Sequence, residues 1–120
     1  MSERRDLPVV TSRRLGMAQT ALLDRNEIDF LERVQSIVCE TTRSQMMRAL
    51  RATPLNVTEL TLILGCSKWT ASRHLRVLRE SGLVVSQKRG RQVSNRLSGG
   101  PVVDAALAAL DAVEATIGAS

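Results

Sequence analysis

Residues 56–84 read "NVTELTLILGCSKWTASRHLRVLRESGLV", and the break at Gly65-Cys66 decides the fold. Asn56 with Glu59 three residues on fits the N-cap and returning acid of a capping box. The helix it opens should run through Leu64 and stop at Gly65, a residue suited to left-handed C-terminal geometry. Ser67 then caps a second helix at once, and "ESG" at 80–82 ends it. Two helices joined by so tight a Gly-containing turn are the signature of a helix-turn-helix.

The second helix has two unlike faces. At about 100° per residue, Ala71, Leu75 and Leu78 gather on one side and must face a core. Trp69, Ser72, Arg73 and Arg76 fall opposite, with Lys68 and Arg79 at a flank. A merely solvated basic face accounts for the charges, but it seldom needs a Trp. Nor does it explain the second basic element that follows directly. There "LVVSQK" and "RQVSNRL" flank "RG", two β-like runs around a Gly turn. Lys88, Arg89 and Arg91 surround Gly90 in this small hairpin, placed as a wing beside the reading helix. In a helix-turn-helix, the start of the second helix enters the major groove. Arg and Lys there fork onto guanine edges, and Ser serves base or phosphate. Trp69 suits a thymine methyl or the sugar-phosphate edge.

Upstream, Ile28, Leu31, Val34 and Val38 recur at helical steps over about 22–39. "ETT" at 40–42 interrupts them, and Thr41 or Thr42 is the expected cap of a helix over 43–52. Residues 1–20 lack sustained periodicity and are expected as a basic, flexible arm. Its Arg4, Arg5, Arg13 and Arg14 suit the minor groove or phosphates, or merely solubilise a tail; a short helix near Leu15–Leu23 is the alternative. Residues 21–120 then form one domain. Pro101 favours the first turn of a last helix, whose stripe is Val103, Ala106, Leu107, Leu110, Val113 and Ile117. The fold class is mainly α with a small β-hairpin, a winged helix-turn-helix in the order α-α-α-α-β-β-α.

Charge follows the same division. The net charge of +5 on 120 residues is concentrated. Residues 67–96 carry Lys68, Arg73, Arg76, Arg79, Lys88, Arg89, Arg91 and Arg96 against Glu80 alone, while residues 97–120 carry only Asp104, Asp111 and Glu114. That is the footprint of a polyanion partner. Aromatic residues make up 2% of the chain, so the core must be aliphatic. No signal peptide or membrane-length apolar run is visible, and two cysteines make no disulfide framework, so a cytoplasmic protein without a membrane partner is expected.

Three stretches, "TTRSQMMRAL" (41–50), the 56–84 segment and "KRGRQVSNRL" (88–97), resemble the ArsR/SmtB family of bacterial winged-helix repressors. The resemblance covers about residues 28–115. It implies a homodimer packed through first and last helices, a double-stranded DNA operator of imperfect twofold symmetry, and release by an effector that is unknown. By position, Lys68, Trp69, Ser72 and Arg73 match the family's base-reading and phosphate-touching sites. The chain departs from the family's metal sensors. Thr61 and Ile63 stand where thiols would be, and the last helix offers Asp104, Asp111 and Glu114 without His. A zinc site wants His or Cys prominent among about four ligands, so no metal and no cofactor are expected.

DNA binding falls to Lys68, Trp69, Ser72, Arg73, Arg76, Lys88, Arg89 and Arg91. The dimer interface is expected at Leu31, Val34, Val103, Leu107, Leu110, Val113 and Ile117, because a stripe with no partner inside the chain suggests a second subunit. Cys39 and Cys66 are as readily small apolar residues. Cys39, just before a helix start whose amides lower a thiol pKa, is the candidate redox or reactive-sulfur sensor. Met46 and Met47 read as core filling, and His74 as structural or phosphate-adjacent. An enzyme is disfavoured, since no nucleophile-base pair can be nominated. A winged-helix module that binds protein or RNA is the alternative to a regulator that binds duplex DNA.

Overall fold

In the computed structural model, Val9 and residues 11–118 are described; Arg4 and Arg5 of the expected arm lie outside them. The chain divides into two compact units, one ending at Arg33 and one beginning at Val34. The first holds α1 (Arg13–Thr20), where the arm was expected, and most of α2 (Arg25–Val38). Ser12 starts α1 by accepting from the Leu15 N–H. Helix α1 adds one helix to the predicted order. Asp24 and Glu27 make a reciprocal cap at the start of α2, each carboxylate accepting from the other's backbone N–H at 2.9 and 2.7 Å. Leu15, Met17, Leu22, Leu23, Ile28, Phe30 and Leu31 all remain exposed in this unit.

The second unit carries the motif. Helices α3 (Thr41–Ala52), α4 (Val57–Leu64) and α5 (Lys68–Glu80) are followed by β1 (Val84–Arg89), β2 (Gln92–Leu97) and α6 (Pro101–Gly118). Sequence reading placed the caps of α4 and α5 correctly. The Asn56–Glu59 capping box is complete, Gly65 ends α4 with φ 68°, and Ser67 caps α5 by accepting from Thr70 N–H. The cap of α3 differs from expectation. Glu40, not Thr41 or Thr42, accepts from the Arg43 N–H at 3.0 Å.

Helix α2 has no glycine stop, so α3 closes its end instead. Arg43 Nε donates to the Ser36 carbonyl at 3.0 Å. The buried Ser44 hydroxyl donates toward the Ile37 and Val38 carbonyls at 3.1 and 3.2 Å. Carbonyls that the last turn leaves without helical partners are thereby satisfied.

Ile37, Met46, Met47, Leu60, Leu75, Leu78 and Val103 are the largest fully buried apolar side chains. Each contributes roughly 1.5–3 kcal/mol of burial. The core is aliphatic with methionine filler, as the composition requires; Phe30 and Trp69 are both exposed. Helix α5 packs on α3, α4 and β1, and α6 packs on α3.

The stripe of α6 is divided. Val102, Val103, Ala106 and Leu107 are buried within the chain, whereas Val113 and Ile117 are exposed. The expectation that this stripe lacks an intrachain partner fails for its first two turns. Arg48 and Arg51 of α3 fasten the next stretch: Arg51 pairs with both Asp111 oxygens at 2.6 and 2.9 Å, and Arg48 with Glu114 at 2.8 Å. No helix among the described residues is long and apolar enough to cross a membrane.

Candidate nucleic-acid interface

Helix α5 is oriented by what it buries. Ala71, His74, Leu75 and Leu78 are all at 3% exposure or less, which leaves only one face for solvent. Lys68, Trp69, Ser72, Arg73 and Arg76 stand on that face. Trp69 is 72% exposed, although an indole usually gains by burial. Its ring supports the Arg73 guanidinium, whose carbon lies 5.1 Å from the ring centroid. The face is therefore cationic, with one side chain already stacked in place.

His74 completes the buried side. Its Nδ1 lies 3.4 Å from Arg43 Nη1 and its Nε2 lies 3.9 Å from Glu40 Oε1. Arg43 can only donate, so Nδ1 accepts and the proton is assigned to Nε2, toward Glu40. Burial pushes the His74 pKa below its ordinary 6.5; Glu40 opposes this, while Arg73 and Arg43 add to it. The Arg43 backbone N–H holds the Glu40 carboxyl below its usual range.

The wing follows the antiparallel register Val84↔Leu97 through Arg89↔Gln92. Gly90, at φ 62°, makes the tip, and Lys88, Arg89 and Arg91 around it are exposed. Below the tip, contacts absent from the sequence reading hold the hairpin. Asn56 Nδ2 donates to Gln92 Oε1 at 3.0 Å, and Arg79 Nη1 donates to Ser86 Oγ at 3.3 Å. Leu55 and Asn95 form an isolated antiparallel bridge. Asn95 itself is buried, with its amide bonded to Leu55 and Ser86. One signal was legible: strand alternation puts Asn95 on the same face as Val93 and Leu97.

A sequence model described as the arsR family of bacterial regulatory proteins matches residues 40–86, from the cap of α3 into the wing. A solved structure of a possible transcriptional regulator for arsenical resistance shares 34% identity. It covers 68% of this chain and 83% of its own, with a TM-score of 0.53. The chain belongs to the arsR family. Its fold is that of a DNA-binding transcriptional regulator, not of an enzyme. The transcriptional repressor BigR from Xylella fastidiosa is 28% identical over 79% of this chain and 87% of its own, with a TM-score of 0.59. A homodimeric winged helix-turn-helix DNA-binding domain from Mycobacterium bovis covers 91% of this chain and 94% of its own. At 24% identity and a TM-score of 0.62, it shows the shared fold. No curated protein matches the sequence.

Val34, Val103 and Leu107 belong to the chain's own core, Leu110 is half-buried against it, and Leu31, Val113 and Ile117 are exposed. Cys39 is exposed and Cys66 partly buried, and both are free thiols. Next to Cys39, the Glu40 carboxylate already occupies the N-terminus of α3. Asp111 and Glu114 are engaged by arginines. Among the described residues, no three His, Cys, Asp or Glu side chains gather as a metal site.

Proposed function

We propose that this chain is a homodimeric repressor that grips an operator duplex through α5 and the wing and leaves it on binding an effector. The observation that carries the reading is the orientation of α5, whose apolar side is buried while Lys68, Trp69, Ser72, Arg73 and Arg76 face outward. Arg73 and Lys68 are assigned to base edges, Ser72 and Arg76 to base or phosphate, and Lys88, Arg89 and Arg91 to phosphates. Six to eight phosphate contacts, roughly, would make affinity fall steeply with salt. Repression is supported by the likeness to BigR, which is named a transcriptional repressor. Dimerisation is supported by the homodimeric relative and by apolar residues left exposed on each unit, Ile28 and Leu31 on α2 and Val113 and Ile117 on α6. An alternative effector mode is thiol-based redox or reactive-sulfur sensing at Cys39, which is exposed.

The deciding experiment is competition. A duplex enriched from a random pool by this chain should stay bound in excess unrelated duplex, because specific binding exceeds nonspecific by roughly 10³-fold or more. Equal displacement by any duplex or by RNA would make the basic face a generic polyanion surface. Peroxide should dissociate the wild-type complex and leave Cys39→Ser bound; equal release from both removes Cys39 as the sensor.

A further inference from the structure

A two-stranded ribbon is marginal in water by itself. The angle at which the wing stands must therefore be set by contacts below its tip. At the base, Val84 is buried and Leu97 partly so, and such apolar contacts are non-directional. One step outward on the same face, the register pairs Ser86 with Asn95, and Asn95 is only 1% exposed.

Every polar atom of this residue is committed. Its backbone N–H donates to the Leu55 carbonyl at 2.8 Å, and its carbonyl accepts from the Leu55 N–H at 3.0 Å. Its side-chain Nδ2 donates to that same Leu55 carbonyl at 3.0 Å. Its Oδ1 accepts from Ser86 Oγ at 2.6 Å, and Ser86 Oγ accepts from Arg79 Nη1 at 3.3 Å. Leu55 directly precedes Asn56, the cap of α4, and Arg79 lies in the last turn of α5. The buried carboxamide thus ties the wing directly to the start of one motif helix and, through Ser86, joins the contact with the end of the other.

An apolar side chain in that place would bury area at no polar cost. What the amide adds is direction, since its donor and acceptor both lose water and only one docking angle restores their bonds. The leverage is considerable. Arg91 lies about 13 Å farther along at about 3.3 Å per residue, so rocking by about 10° at Asn95 displaces the tip by about 2 Å. A displacement of that size exceeds the few tenths of an ångström over which a hydrogen bond keeps its strength.

We propose that Asn95 is a positioning residue for DNA binding, holding the wing at the angle that brings Arg89 and Arg91 onto the backbone while α5 reads bases. This rests on the duplex-binding reading above. The test compares the full chain with Asn95→Val, which keeps strand propensity, and with the milder Ser86→Ala. Without DNA, amide exchange across residues 86–97 should speed up about ten-fold or more in Asn95→Val, while α5 keeps its protection. The DNA probes are a duplex selected from a random pool by the wild-type chain and an unrelated duplex of equal length. Affinity for both should fall by the same factor, about ten-fold, with a shallower salt slope. In an Arg89→Ala/Arg91→Ala background, Asn95→Val should change affinity less than about two-fold, since the contacts it positions are gone. Ser86→Ala should give the same pattern at smaller amplitude. Unchanged wing exchange in both variants, or a full loss in the double-alanine background, overturns the proposal. Raised exchange with a wild-type chain that holds neither duplex overturns the DNA-binding reading instead and leaves the wing anchorage supported.

Discussion

The Arg73 guanidinium lies over the Trp69 indole, 5.1 Å from its centroid, one helical turn away on the exposed face of α5. Stacking of this kind contributes about 0.5–1 kcal/mol at exposed sites. It also limits the rotamers of an arginine proposed to present a planar fork to a base edge. Arg73→Ala should cost about 1–3 kcal/mol of operator affinity and relax specificity at one position. Trp69→Ala should cost less, and the two losses should not add. Quantitative binding to operator variants at each position checks this; fully additive losses would mean that Trp69 works independently of Arg73.

The wing should behave differently. Arg89 is exposed beside the Gly90 turn and has no base edge assigned to it. Arg89→Ala should weaken selected and unrelated duplexes alike and lower the salt slope by about one. Base-dependent losses would put Arg89 in a groove.

For the dimer, the split of the α6 stripe chooses the probes. Val113 and Ile117 are 59% and 69% exposed, so Val113→Glu and Ile117→Glu disturb no core. Each should give monomers by sedimentation, with helix content kept and operator affinity lost. Leu107→Ala, at 9% exposure, should instead destabilise the chain by about 2–5 kcal/mol. Dimers that persist in both glutamate variants would move the interface elsewhere.

The carboxylates of α6 bear on metals. Asp111 is held below its usual range, first by its hydrogen bond from Arg51. Zinc added up to about equimolar should therefore leave operator affinity and thermal stability unchanged, because its ligands would have to leave arginines and no His stands by. A zinc-dependent shift in either would show a site these pairings conceal.

Local rules made the centre of the chain legible. The capping box at Asn56, the left-handed stop at Gly65, the cap at Ser67 and the period of Ala71, Leu75 and Leu78 are each encoded within a few residues. What escaped depends on partners distant in sequence. The α6 stripe looked unpartnered because its first turns find α3, far upstream. Glu40, not Thr41 or Thr42, takes the cap, and its carboxylate also faces the distant His74. Asn95 reads as an ordinary strand polar residue until Leu55, 40 positions away, supplies its carbonyl.

His74 gives a pH prediction with a definite sign. Its folded-state pKa is depressed, by burial first and by Arg73 and Arg43 as well, with Glu40 opposing. The unfolded chain, nearer the ordinary 6.5, therefore takes up the proton first as pH falls. Stability from neutral His74 is fully present above about pH 6.5 and is lost as pH drops through the lower folded value. Glu40 and Asp111 are also depressed, from ordinary values of 4.5 and 3.8, so their contribution disappears only at more acid pH. Between about pH 7.5 and 5.5 the fall in melting temperature should thus belong mainly to His74. His74→Leu should flatten that slope while retaining a folded chain, because Arg43 keeps its bond to the Ser36 carbonyl. Melting curves at half-unit steps measure it, and an unchanged slope in His74→Leu would assign the acid sensitivity to other groups.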